Sequence, residues 1–471
     1  MKQLVCDRVR RLGIEGDVRR VAKRRVGTEP VEREETLERD RDPEAPAPET
    51  ARAGILAGRY RWVICGLLFL GITKNYMDRQ VLGVLKVPLQ IEFGWSDIQY
   101  GHLVTVFQMA YALGMLCVGR LMDRLGTRIG YAAAMVFWSL ASMAHAAANS
   151  FLSFLIARAS LGFGEAGVFP ASIKTVAEWF PKRERALATG IFNAGTSVGA
   201  MITPWLVPWI TGRWGWRWSF LITGSLGFAW LILWLATYWK PEEHARCTKQ
   251  ELAYIQADPI PAPQKLPWIG LLAYRQTWTF ALGKFLTDPI WWFYLFWIPD
   301  YMQRVHGLKL SGIFLPVFTI YLISDIGSVA GGWISSAMIR RGLSVNAARK
   351  WTMLGCALCV APIALTYRLS GLWSATLLIG LAAAAHQGFS ANLFTLSSDL
   401  FPSRAVGSVV GIGGMAGAIG GMLIAEAVGH VLQWTNSYMI PFFIAASAYF
   451  LALLAIHLLS PRLERATMDR A

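Results

Sequence analysis

The stretch "GITKNYMDRQ", residues 71–80, sets Lys74, Asp78 and Arg79 within six positions of one another. It follows the apolar run "WVICGLLFLGIT" and precedes "VLGVL", so the charges fall where a hydrophobic segment should be least polar. Either this is an amphipathic helix of a soluble protein, or the charges sit inside a membrane with a task to perform. Composition decides between the two. The 471 residues are 54% hydrophobic and 16% charged, with mean hydropathy +0.40, whereas soluble domains carry about 25% charged residues. Twenty-one Trp and 44 Gly point the same way, because Trp gathers at membrane interfaces and Gly is common in membrane helices.

Beyond residue 60, apolar blocks of membrane-crossing length recur. They lie near 62–88, 100–122, 129–148, 151–175, 186–210, 217–238, 277–300, 311–338, 351–367, 372–396, 405–431 and 436–459. The expected fold is therefore an all-α integral membrane protein with twelve transmembrane helices. Between the sixth and seventh blocks lies the polar, Pro-rich "KPEEHARCTKQELAYIQADPIPAPQKLP", which separates a first half, 59–240, from a second, 276–461, across a linker, 241–275. Residues 1–58, dense in both charge signs, read as a disordered cytoplasmic tail or as an upstream extension from a wrongly chosen start codon. Residues 462–471 form a short C-terminal tail.

The net charge of +15 raises nucleic acid as a partner. The basic residues sit in short loops, however: Arg120, Arg124 and Arg128 after the second block, Lys182, Arg183 and Arg185 after the fourth, Arg340, Arg341, Arg349 and Lys350 after the eighth. That is a positive-inside distribution, which places both termini in the cytoplasm of an inner-membrane protein. Arg213 and Arg217 run against it. Cys356 and Cys359 have CxxC spacing but no partner pair, so helix packing is expected and no metal or cofactor. No phosphate-binding loop or catalytic constellation points to an enzyme.

The halves repeat. "EWFPKRERALATG" (178–190) aligns with "DLFPSRAVGSVVG" (399–411), and "KNYMD" (74–78) with "KFLTD" (284–288). Repeated halves are expected of a transporter whose site lies at their interface near the bilayer midplane.

"GRLMDRLGTR", 119–128, places Gly119, Asp123, Arg124, Gly126 and Arg128 in a G-x-x-x-D-R-x-G-x-R pattern between the second and third blocks. There the chain resembles the major facilitator superfamily over about residues 60–460. The resemblance implies two pseudo-symmetric six-helix bundles, alternating access, and a cytoplasmic gate in which this loop is a latch. "NYMDR" (75–79) and "RASLGFGEAGVFP" (158–170) resemble the anion:cation symporters, and "KFLTDPIWWFYLFWIP" their hexuronate branch. The family implies substrate contacts at Tyr76 and Tyr111.

The residues themselves suggest the chemistry. Ionised groups at the bilayer centre cost several kcal/mol unless they face a wet cavity or each other. Lys74 and Asp78 share a helix face, with Arg79 about 100° round. Arg158 and Glu165 are two turns apart on one face. Arg79 can clasp a carboxylate in bidentate fashion, while Asp78 and Glu165, with Arg158 tuning the latter, can carry protons. Alternatively, Asp78–Arg79 and Arg158–Glu165 are internal pairs that only join helices. In the second half, His386 and Gln387 fall opposite Glu165 and can meet sugar hydroxyls; Lys284 offers a second positive charge unless Asp288 neutralises it. Asn193 and Thr196 add polar groups beside a Gly195/Gly199 packing face. Trp291 or Trp292 can stack on a sugar ring, though interface anchoring is expected of at least one. Pro289 should break or kink its helix.

The resulting expectation is a proton-coupled symporter of a hexuronate or similar sugar-acid anion, working as a monomer in the bilayer without nucleic acid. An importer of another organic anion and a non-transporting membrane sensor are the rival readings.

Overall fold

The protein is described by a computed structural model covering residues 60–257, 268–401 and 403–466. The expected N-terminal tail, the Pro-rich part of the linker and the last five residues fall outside that set. Among the described residues the only regular structure is helical. Eight helical stretches are long and apolar enough to cross a membrane, so this is a multi-pass membrane protein. The remaining expected spans are helical too, but they carry the charges and prolines that lower their apolarity.

The quoted stretch lies inside α1 (Tyr60–Val84). A short α2 (Lys86–Phe93) ends at Gly94, and α3 (Asp97–Ala144) begins with a capping box: the Ser96 hydroxyl accepts from Gln99 N and the Gln99 side chain accepts from Ser96 N. The second and third expected spans run together as α3, interrupted only at Gly126, whose φ of 75° favours glycine. There follow α4 (Phe151–Glu165), α5 (Val168–Trp179), α6 (Lys182–Trp214) and α7 (Trp216–Thr237). The linker contributes α8 (Lys249–Ile255) and α9 (Trp268–Leu271). The second half comprises α10 (Arg275–Arg304), α11 (Phe314–Arg340), α12 (Val345–Val360), α13 (Leu372–Leu400), α14 (Ser403–Thr435) and α15 (Met439–Leu459). Of the expected break or kink, the break does not occur: α10 continues through both Pro289 and Pro299.

Small residues let these helices approach closely. A Cβ at Gly199 would press on the Thr73 carbonyl, and one at Gly195 on the Phe69 carbonyl, so α6 lies backbone-to-backbone against α1. In the second half α10 packs against α14, and α11 against α13.

The apolar core shows how the halves meet. One cluster, including Ile64, Phe107, Trp138 and Trp230, is confined to the first half and the linker. The other joins Val81, Leu85 and Tyr100 of the first half to Trp297, Ile298 and Tyr301 of the second. These shared residues lie at the end of the molecule opposite Tyr60 and Leu459, called here the far end. Among the described residues, the halves are cemented there by a common core, and the near-end core of the first half stands apart.

Candidate functional site

A cavity of about 210 Å³ lies between the halves. From α1 it receives Asn75, Tyr76 and Arg79; from α3, Tyr111 and Met115; from α4, Glu165. Asn193 and Thr196 of α6 complete the first-half wall. Across from them α10 supplies Lys284, Asp288, Trp291 and Trp292, and α13 supplies His386, Gln387 and Ser390.

Arg79 and Glu165 are 2% and 1% exposed, so neither is solvated by bulk water. Nε of Arg79 donates to Glu165 Oε2 at 2.9 Å, Nη2 lies 2.9 Å from the same oxygen, and Nη2 donates to Asn75 Oδ1 at 3.3 Å. The guanidinium is walled by aromatic rings, with Tyr76 and Tyr111 at 4.9 Å and Trp292, from the opposite half, at 5.0 Å. Such faces stabilise a desolvated cation. Glu165 Oε1 and Asn75 Nδ2 are buried with no hydrogen-bond partner among the described residues. Buried polar atoms are rarely left so unless function asks for it.

The charges of the opening stretch pair differently from the expected internal pairs. Lys74 Nζ lies 2.5 Å from Asp78 Oδ2. Asp78 also accepts from Trp138 Nε1 at 3.1 Å and Ser142 Oγ at 3.2 Å, and Lys74 donates to Ser139 at 2.9 Å. Lys74 and Asp78 do not line the cavity, and Lys74 neutralises Asp78 within the first half. Arg158 is absent from the cavity wall as well. It is fully buried against the Phe107 ring at 4.3 Å, its three side-chain nitrogens lack a hydrogen-bond partner among the described residues, and Glu165 pairs with Arg79 instead.

In the second half, Lys284 and Asp288 form an ion pair of 2.7 Å. His386 Nδ1 lies 2.6 Å from the Tyr449 hydroxyl, and its ring stacks on Trp291 with centroids 5.2 Å apart. Trp291 and Trp292 both face the cavity, so neither is an interface anchor. The expectation of anchoring rested on Trp frequency alone, whereas here Arg79 and His386 supply the ring partners.

The latch stretch is only partly described: the side chains of Gly119 and Asp123 lie outside the described residues. Arg124 is exposed. Arg128 donates to the Leu235 carbonyl at 2.7 Å and lies over the Trp239 ring at 3.5 Å, so this end of the motif is tied to α7.

Sequence reasoning missed the far-end closure. Lys86 lies 2.8 Å from both Asp97 and Asp300, Arg304 grips Asp97 with two hydrogen bonds of 2.8 Å, and the Tyr438 hydroxyl donates to Asp300. Lys86 and Asp97 belong to the first half, Asp300, Arg304 and Tyr438 to the second. The backbone NH of Asp97 adds a bond to Gln433, and the Tyr100 hydroxyl one to the Phe296 carbonyl. Burial acts to raise the Asp97 carboxyl, but Arg304 and Lys86 outweigh it and hold it well below the usual carboxylate range. A hollow of about 660 Å³ lies beyond, lined by Asp97, Arg304, Lys309 and Gln433. The far end also explains one exception in the loop charges, because Glu92 pairs with Arg217 at 3.2 Å.

A charged, aromatic-walled cavity between the two halves of a helical membrane protein is the arrangement expected of a membrane transporter. The chain is a member of the Major Facilitator Superfamily, whose sequence model matches residues 68–425. It is 33% identical over 376 residues to the hexuronate transporter of Escherichia coli (strain K12), covering 78% of this chain and 87% of that one. It is 33% identical over 280 residues to the galacturonate transporter of Dickeya chrysanthemi, covering 58% and 81%. It is 29% identical over 389 residues to the D-galactonate transporter of Escherichia coli O6:H1, covering 80% and 90%. In fold it is similar to a bacterial homolog of the human lysosomal transporter Spinster, in an inward-facing and occupied conformation. The TM-score is 0.70 at 18% identity, covering 86% of this chain and 98% of that one.

Proposed function

We propose that the protein is a proton-coupled symporter that imports a hexuronate, or a closely similar sugar-acid anion, by alternating access. The observation that carries this reading is the buried Arg79–Glu165 pair on the cavity wall. An incoming carboxylate takes the guanidinium by bidentate hydrogen bonding. Glu165, displaced into a low-dielectric site, is costly as an anion and takes a proton. Arg79, the substrate carboxylate and neutral Glu165 then carry the same net charge as the unloaded pair, so anion and proton cross together. Asp78, held by Lys74 behind the site, is the second proton-coupling acid, and Arg158 biases Glu165 through space.

Tyr76, Tyr111, Asn193, Thr196, His386 and Gln387 meet the sugar hydroxyls, and Trp291 offers its ring to the apolar face. Twelve spans in two six-helix bundles rock about the site, with both termini on the cytoplasmic side of the inner membrane. The far-end cluster is then the closed extracytoplasmic gate, and the 119–128 loop with Asp123 the cytoplasmic one. The monomer is the working unit. The names of the relatives support a sugar acid as cargo.

The test is uptake of labelled galacturonate and glucuronate into proteoliposomes under an inward proton gradient. Accumulation should be competed by unlabelled hydroxylated acids and not by benzoate. No accumulation of either sugar acid in vesicles shown to be tight would overturn the reading, and competition by benzoate would replace sugar acids with apolar anions.

A further inference from the structure

The cavity contains a second cation–carboxylate pair, on the half opposite Arg79. Lys284 and Asp288 sit one helical turn apart on α10, 2.7 Å from each other, and both reach the cavity wall. Their sequence twin in the first half is Lys74–Asp78, and the twins are built differently. Asp78 is locked by Lys74, Trp138 and Ser142, inside the bundle. Asp288, among the described residues, has Lys284 as its sole ion-pair or hydrogen-bond partner. Its outer oxygen rests against α14 at Gly417, where a Cβ would overlap it. Residues 413–421 of that helix, which surround Gly417, carry no polar side chain to hold the carboxylate in place. Lys284, 5% exposed, lies over the Phe394 ring at 4.1 Å and faces His386, so its charge is directed to Asp288 and to whatever enters the cavity. The other titratable groups acting on Asp288 are the phenols of Tyr76 on α1 and Tyr449 on α15.

We propose that Lys284–Asp288 is a second carboxylate-exchange site, so that the cavity takes up one further proton when a second carboxylate binds there. A carboxylate reaching Lys284 replaces Asp288 as its counter-ion, and the released Asp288 carboxylate binds a proton at its freed oxygen. Before exchange the site holds one ammonium and one carboxylate; afterwards it holds the ammonium, the ligand carboxylate and a neutral acid, so the net charge is unchanged. The same counting applies at Arg79–Glu165. Two exchange pairs facing each other across one cavity suit a sugar acid with a carboxylate at each end, and a monoacid engages one of them. This inference rests on the reading of the cavity as a sugar-acid site.

Calorimetric titration of the purified full-length protein at neutral pH, in buffers of different ionisation enthalpy, counts protons taken up on binding. Galactarate should take up about one proton more than galacturonate. In Asp288→Asn the side chain is already neutral and no longer competes for Lys284, so galactarate should bind several-fold more tightly and its extra proton should vanish. If that variant does not fold, the neutral pair Lys284→Gln/Asp288→Asn keeps the helix-turn hydrogen bond and should abolish the extra proton while weakening galactarate selectively. Equal proton uptake for the two acids in the wild type, an extra proton that survives in either variant, or loss of galactarate binding in a folded Asp288→Asn protein would overturn the exchange site. Wild-type binding of galacturonate alone would do the same. Binding of neither acid would overturn the sugar-acid reading itself, and the exchange site with it.

Discussion

Replacing Arg79 by Gln should lower sugar-acid uptake by roughly 100-fold or more. Two losses add. The substrate carboxylate loses its bidentate partner, and Glu165 is left buried without its cation. Removing one member of a buried pair costs about 3–5 kcal/mol, and each 1.4 kcal/mol is about a factor of ten. Of the four rings around the guanidinium, Tyr76, Tyr111 and Trp292 lose their cation, and Phe107 keeps only Arg158. Arg79→Lys keeps the charge but not the planar fork that holds Glu165 through Nε and Nη2, so it should rescue little. Initial uptake rates in proteoliposomes, normalised to folded protein, measure both. A rate for Arg79→Gln within about threefold of wild type would remove Arg79 from the site, since buried pairs of this kind are never that cheap to break.

The second large effect is expected at the far end. Lys86 is fully buried between Asp97 and Asp300, and Asp300 is fully buried too. Lys86→Met strands two carboxylates around Arg304, and again about 3–5 kcal/mol is at stake. That penalty falls only on the conformation in which the halves meet here, so it acts as a shift between conformations. About 5.5 kcal/mol suffices to invert a 99:1 population. Spin labels on Ile91 and Lys309, at the rim of the far-end hollow, should report a short distance in the wild type and a second, longer one in Lys86→Met. An unchanged distance distribution would show that the apolar core alone holds the far end closed.

Asp97 should not act as a pH sensor. The Asp97 carboxyl is held below its ordinary range by Arg304 and Lys86, against the opposing effect of burial. Its contribution is therefore complete above about pH 4 and is lost only as pH falls through the depressed value. Between about pH 5 and 8 the contribution of Asp97 to far-end closure should stay constant. A pH response of transport in that window belongs to the cavity acids.

Much of the site was legible because charge and polarity inside apolar runs are rare enough to stand out. Arg79, Glu165, Lys284, His386 and their polar neighbours were identifiable as residues for that reason, and they line one cavity. Pairs one helical turn apart were legible as well, since helix geometry places Lys74 beside Asp78 and Lys284 beside Asp288. What the sequence does not carry is partnership between helices. The reach from Arg79 to Glu165 depends on how α1 and α4 pack, and so does the isolation of Arg158 against Phe107. The far-end cluster escaped for another reason. Lys86, Asp97 and Arg304 stand near span ends, where charges ordinarily meet water and need no explanation. Only the shared core at that end buries Lys86 and Asp97 and partly covers Arg304. Frequency arguments failed where a specific partner existed, as with Trp291 and Trp292.

The most direct test of the central claim is proton movement driven by substrate alone. Tight proteoliposomes containing a pH-sensitive dye, at equal pH on both sides, would receive galacturonate outside. The account predicts acidification of the lumen that requires the protein, is collapsed by a protonophore and is lost in Arg79→Gln. Galacturonate entry with no change in lumenal pH would contradict proton coupling and leave a carrier that moves the anion without its proton.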